Sequence, residues 1–124
     1  MLHKAIKITG WALTIIIAFM LSMSALLKLT QDETAVAQAS SIGIDAATYV
    51  FIGIIEIISL LLFVIPRTGI IGTLLLAAYF GGAIVTHLQH QQPIAIALTL
   101  QIAVWVTAFI RFPELKQRLL TTEN

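Results

Sequence analysis

Four long stretches that carry almost no charge dominate this chain, and they restrict its fold more than any other feature. The first runs from Ile8 to Leu27, between Lys7 and Lys28. The second runs from Ala46 to Ile65, between Asp45 and Pro66-Arg67-Thr68, and only Glu56 interrupts it. A third runs from Gly69 to Thr86 and ends at His87; the fourth, Ile94 to Ile110, lies between Pro93 and Arg111. A helix rising about 1.5 Å per residue needs about 20 apolar residues to cross a bilayer, and these stretches are of that order. β-Branched residues are common in them, yet runs this long and continuous suit helices better than strands. Barrel strands would alternate polar and apolar positions, and these do not. Composition agrees: 59% of the 124 residues are hydrophobic and only 10% charged, whereas a soluble domain carries about 25% charged residues to keep its surface hydrated. The expected fold is an all-α membrane protein, a four-transmembrane-helix bundle forming one domain over residues 1–124.

Lysine and arginine near the span ends set the expected orientation. Lys4, Lys7, Arg67, Arg111, Lys116 and Arg118 fall on one side; Lys28 alone falls on the other. Both termini of a multi-pass protein are therefore expected in the cytoplasm, N-in and C-in. A competing reading treats the first span as a signal peptide, with Lys4 and Lys7 before the apolar core and Ser22-Met23-Ser24 as a small-residue cleavage site. Against it, the apolar run exceeds the about 7–15 residues of a typical signal core.

The connection Pro66-Arg67-Thr68 is so short that spans two and three must form a tight antiparallel hairpin. The first outer loop is the only sizeable one. Asp32-Glu33-Thr34 suits a helix start and Gly43 a stop, which predicts a short interfacial helix from about Asp32 to Ser40. After Phe112-Pro113 the tail is expected to continue as a short surface helix before fraying. Cysteine is absent, which excludes disulfides, thiolate metal sites and dithiol redox chemistry. No charge run suggests a nucleic-acid partner. His87 and His90 lie three apart, but no third ligand accompanies them, so no metal site is expected.

Glu56 is the main candidate for chemistry. It lies about 15 Å from either end of its span by helical rise, where an ionised carboxylate costs about 2.5–3.5 kcal/mol on insertion scales. It must face the bundle, pair with a cation, accept hydrogen bonds or hold its proton. One reading makes it a proton-relay or ligand-anchoring acid; the other makes it a paired or protonated lock between helices. Tyr49, Gly53, Glu56, Leu60 and Phe63 share a stripe, and Gly53, one turn above the acid, leaves room for a neighbour or a small ligand. Tyr79 and Thr86 share a face of span three, with His87 beside them; Gln101 and Trp105 bracket the same depth in span four. Span one adds Ser24 and, one turn outward, Lys28, which either snorkels to the interface or turns its stem inward to compensate Glu56. Gly72, Gly81 and Gly82 are read as close-approach positions between helices. These placements predict a polar cavity in the outer half, with Glu56 at its floor, and an inner half of nearly pure hydrocarbon.

Glu56 in an apolar span, followed by Ile65-Pro66-Arg67-Thr68-Gly69, Gly72, Tyr79-Phe80-Gly81-Gly82-Ala83 and Thr86-His87, resembles the DoxX-like family. Lys28-Leu29, Trp105 and Arg111 extend the resemblance over roughly residues 8 to 118. It implies a four-helix inner-membrane fold. Some wider relatives are associated with membrane redox systems, including subunits of thiosulfate:quinone oxidoreductases. Two functions follow as expectations. The first is binding of a small apolar or amphipathic ligand, a quinone or lipid, as part of a redox-linked system, in a membrane redox complex or a homo-oligomer. The second is a non-catalytic assembly or stabilising partner of another membrane protein. No haem ligand pair, flavin motif or cysteine supports an autonomous enzyme, so any electron carrier would come from a ligand or partner, with no covalent cofactor.

Overall fold

Each apolar stretch forms one helix. The computed structural model describes residues 1–120. α1 spans Leu2–Leu29, α2 Glu33–Ser41, α3 Ala46–Val64, α4 Gly69–Gln89, α5 Ala95–Arg111 and α6 Pro113–Leu120, with one 3-10 turn at Pro66–Thr68. α1 starts earlier than its apolar run, because Lys4 and Lys7 are good helix formers that continue the backbone ladder. α1, α3 and α4 are long and apolar enough to cross a membrane; α5, at 17 residues, makes a fourth candidate only when taken together with α6. Phe112 precedes Pro113, which forces it out of the helical region, and the chain bends by 105° into α6. Leu115 of α6 then tucks against the core.

The four long helices close a ring, α1 against α3, α3 against α4, α4 against α5 and α5 against α1. Each buries a narrow stripe at helical spacing. In α1 it is Gly10, Thr14, Ile17, Leu21, Ala25 and Lys28; in α3 it is Gly53, Glu56, Ser59, Leu60 and Phe63. Outside these stripes the surface is hydrocarbon, with Phe19, Phe51, Leu61, Leu74 and Ile102 all exposed. Polar groups inside and apolar groups outside is the pattern that lipid selects, since water would not tolerate so much exposed hydrocarbon. The inner stripes are more polar than the sequence suggested. Buried Thr14, Thr73 and Thr107 each donate to the carbonyl four residues back, at 2.7–2.8 Å, and so carry no unpaired hydroxyl.

One end of the bundle carries the N-terminus, the 3-10 turn and α6; it is called the terminal end below. Here the expected hydrocarbon interior is corrected. Arg111 folds inward over Trp11, Phe63 and Phe112. Its guanidinium donates to Phe63 O at 2.8 Å and Val64 O at 2.9 Å. Those are two of the four carbonyls left open at the end of α3. Ile65 N–H takes Leu61 O, and the Thr68 hydroxyl takes Leu62 O. Every carbonyl in that last turn is satisfied without water. Close approach at the hairpin depends on Gly72, where a Cβ would lie 2.1 Å from Phe63 N. Gly81 and Gly82 are expected to serve the same purpose, but a methyl group added at either would meet nothing within 4 Å. Helical spacing puts Gly81 on the side of α4 opposite Gly72, and Gly82 borders the open space beneath α2.

That opposite, loop end carries α2 between α1 and α3. Asp32 caps α2 by accepting from Ala35 N–H at 3.1 Å, close to the expected start. Gly43, at φ +82°, turns the chain into α3. Asp45 accepts from Thr48 N–H at 2.8 Å, and Thr48, through its hydroxyl and then its amide, holds that carboxyl below the ordinary aspartate range. α2 lays Ala35 and Ala39, one turn apart, against the bundle. The residues after Leu120, where the tail is expected to fray, lie outside the described residues.

Candidate functional site

Glu56 is 1% exposed at the middle of α3, so it faces the bundle and not the acyl chains. Its companion is Lys28. From the last turn of α1 the lysine stem turns down across Gly53, where a Cβ would come within 2.9 Å of Lys28 Cβ. Its Nζ reaches Glu56 Oε1 at 3.1 Å. Snorkelling, the commoner behaviour of a lysine at a span end, is thus replaced by inward pairing. Gly53 opens the path, and a carboxylate this deep is costly unless a cation compensates it. Ser24 completes the set, accepting from Lys28 at 2.6 Å and donating to Glu56 Oε1 at 3.4 Å. Lys28 also lies 5.3 Å from the centre of the Tyr49 ring. Tyr79 faces the same carboxyl from α4, edge-on to Phe80. The second carboxylate oxygen, Oε2, is buried without a hydrogen-bond partner.

Beside this cluster lies an open cavity of about 560 Å³ under α2, between α3 and α4. Its size falls in the range of ordinary small-molecule sites, about 300–1,000 Å³. Ala35, Ala39 and Ile42 roof it; Lys28, Tyr49, Tyr79 and His87 supply polar wall. Lower down the wall becomes Ile52, Ile55, Leu75 and Ala78. Ile55 and Leu75 are each 39% exposed, so the lower mouth opens sideways, on the apolar flank of the α3–α4 pair.

Several expectations change at this point. Glu56 is not the floor of the cavity; it sits behind Lys28 and Tyr79, which both line the space and both neighbour the carboxyl. Ser24 and Gly53 lie in that second layer too and do not line the cavity. Thr86 and His87 do line it. Gln101 and Trp105 do not. α5 packs on α4 and α1 but stands diagonally across the ring from α3, so its inward side chains meet the far flank of α4. Gln101 donates to Ala77 O at 3.0 Å and leaves its own Oε1 buried and unpartnered; Trp105 packs edge-on against Phe109. The His87 and His90 Nδ1 atoms lie 2.7 and 2.9 Å from the Ala83 and Thr86 carbonyls of their own helix.

The roof from α2 was not foreseen as part of any site. Its signal was present in Ala35 and Ala39, small residues four apart that let a short helix lie close. The inward turn of Arg111 had a weaker signal, the need of a neighbouring helix end for donors.

No curated protein and no solved structure matches the chain. The sequence model of the DoxX-like family matches residues 12–109, a stretch that includes the Lys28–Ser24–Glu56 cluster, the α3–α4 hairpin and every residue lining the cavity. The chain is a multi-pass membrane protein, and it belongs to the DoxX-like family.

Proposed function

We propose that this protein crosses the inner membrane four times with both termini in the cytoplasm, and binds an amphipathic membrane molecule, a lipid or a quinone, beneath α2. One observation carries the binding reading: a cavity with a polar wall under α2 and an apolar mouth opening sideways where acyl chains would lie. A head group would rest against Lys28, Tyr79 and His87, and the tail would leave between Ile55 and Leu75. The redox associations of some wider relatives make a quinone one candidate; the groove itself suits any single-tailed or partly inserted amphipath. Six of the seven lysine and arginine residues lie at the terminal end, which supports the orientation.

Gly82 provides the test. It lines the cavity, and a Cβ added there meets nothing within 4 Å, so the longer side chain of Gly82→Leu has the cavity itself to enter. The variant should unfold within about 0.5 kcal/mol of wild type, as substitutions free of contacts usually do. Native mass spectrometry of gently extracted protein should show wild type carrying a co-purified amphipath and Gly82→Leu lacking it. An unchanged load in the variant would remove the cavity's role and favour an assembly partner. Orientation is open to labelling, because the chain has no cysteine of its own. A single Ser40→Cys, on the exposed face of α2, should react with an impermeant maleimide added outside intact cells. Protection there, with labelling only after lysis, would reverse the topology.

A further inference from the structure

We infer that the cavity selects an uncharged head group bearing a carbonyl or ester oxygen, and discriminates against anionic amphipaths. This rests on the ligand-binding reading above and adds the class of ligand.

Among the described residues, Lys28 is the only charged side chain that lines the cavity. Taken alone it would attract carboxylates and phosphates. It is not alone: its ammonium is held at 3.1 Å from Glu56 Oε1, in a pair whose side chains are 10% and 1% exposed. The wall is therefore electrically balanced before any ligand arrives. An anionic head on the ammonium would share its one positive charge with Glu56 and place a second negative charge beside a buried carboxylate. Two negative charges round one ammonium repel each other, and the site would then hold a net charge away from water. A cationic head would meet the ammonium first, since the carboxylate lies behind it.

An uncharged acceptor has no such conflict. An ammonium carries three N–H donors. Glu56 and Ser24 engage two, and the third is left for the cavity. Tyr79, at the same depth, brings a hydroxyl that can donate as well. At the upper wall His87 Nδ1 lies 2.7 Å from Ala83 O, which can only accept. In the neutral ring the proton is thus on Nδ1, and Nε2 remains as an acceptor. Donors deep and an acceptor near α2 match a head group with a carbonyl or ester oxygen inward and a hydroxyl, if it has one, outward.

The experiment compares two probes with the same tail, methyl hexadecanoate and hexadecanoate, on the full-length protein in nanodiscs at about pH 9, where the free acid is ionised. Wild type should bind the ester at least about tenfold more tightly, given the penalty of a second negative charge in the buried site. Glu56→Gln leaves Lys28 uncompensated and should reverse the preference towards hexadecanoate. Equal binding, or tighter binding of hexadecanoate by wild type, overturns the head-group inference and leaves the cavity reading standing. Binding of neither probe overturns the cavity reading, and the inference falls with it. Failure of Glu56→Gln to reverse the preference shows that the ion pair does not set it. Should that variant not fold, Tyr79→Phe takes its place. It should weaken the ester several-fold and leave hexadecane, which has no acceptor, unaffected; equal effects on both overturn the role of the hydroxyl.

Discussion

Lys28→Met is expected to destabilise the bundle by about 3–5 kcal/mol, because it removes one partner of a buried ion pair and leaves the other without compensation. Glu56 is 1% exposed and has one oxygen already unpartnered, and the 3.4 Å contact from the Ser24 hydroxyl does not replace the charge of the ammonium. The double variant Lys28→Met, Glu56→Met should recover most of that loss. Replacing both members of a buried pair by apolar groups of similar size is often neutral or stabilising. Reversible unfolding in mixed detergent micelles measures both. The signature is non-additivity, a single variant far weaker than the double. If Lys28→Met unfolds like wild type, the lysine is not compensating the acid, and the balanced wall of the cavity disappears. Loss of ligand binding by a double variant that regains stability would separate the structural role of the pair from its role in recognition.

Gly72→Ala should be nearly as damaging, although it adds one methyl group. The added Cβ would lie 2.1 Å from Phe63 N and 2.4 Å from Phe63 Cα. These are backbone atoms and cannot swing aside, so α3 and α4 must separate at the hairpin. Separation also moves Phe63 O and Val64 O away from Arg111 and Leu62 O away from Thr68, opening the last turn of α3. A loss of about 3 kcal/mol or more is expected, at or beyond the upper end for overpacking, because capping is lost along with packing. Gly81→Ala is the control. Nothing lies within 4 Å of its added methyl, and alanine is favoured over glycine in helices by about 1 kcal/mol in water, so it should be neutral or slightly stabilising. Equal damage from both glycines would show that close approach is not what Gly72 provides.

The glycines illustrate what local sequence can and cannot convey. Gly72, Gly81 and Gly82 look alike in an apolar span, yet only the first touches a neighbouring backbone. Helical spacing already sets Gly81 opposite Gly72 on α4, whereas which of those faces meets α3 is decided by packing. Gln101 and Trp105 make the same point. Their depth is readable from helical rise, and it matches Glu56. Their direction is not, because it depends on which helices are neighbours in the ring and which are diagonal. Ser24, Lys28, Gly53 and Glu56 do come together, as expected of a buried acid that needs a cation and has few within reach.

The number and approximate positions of the apolar helices, the tight hairpin at Pro66-Arg67-Thr68, the short helix after Asp32 and the need for Glu56 to face inward are all legible in the residues. Those properties follow from hydrophobicity, chain reach and the cost of a charge in lipid, which act on residues near one another in the chain. Helix packing settled the rest: Lys28 turns inward, Arg111 closes the end of α3, and the cavity lies under α2 beside the acid and not above it. Each of those depends on the order and spacing of helices around the ring. In lipid that order is set by contact between narrow faces that hydrophobicity does not distinguish.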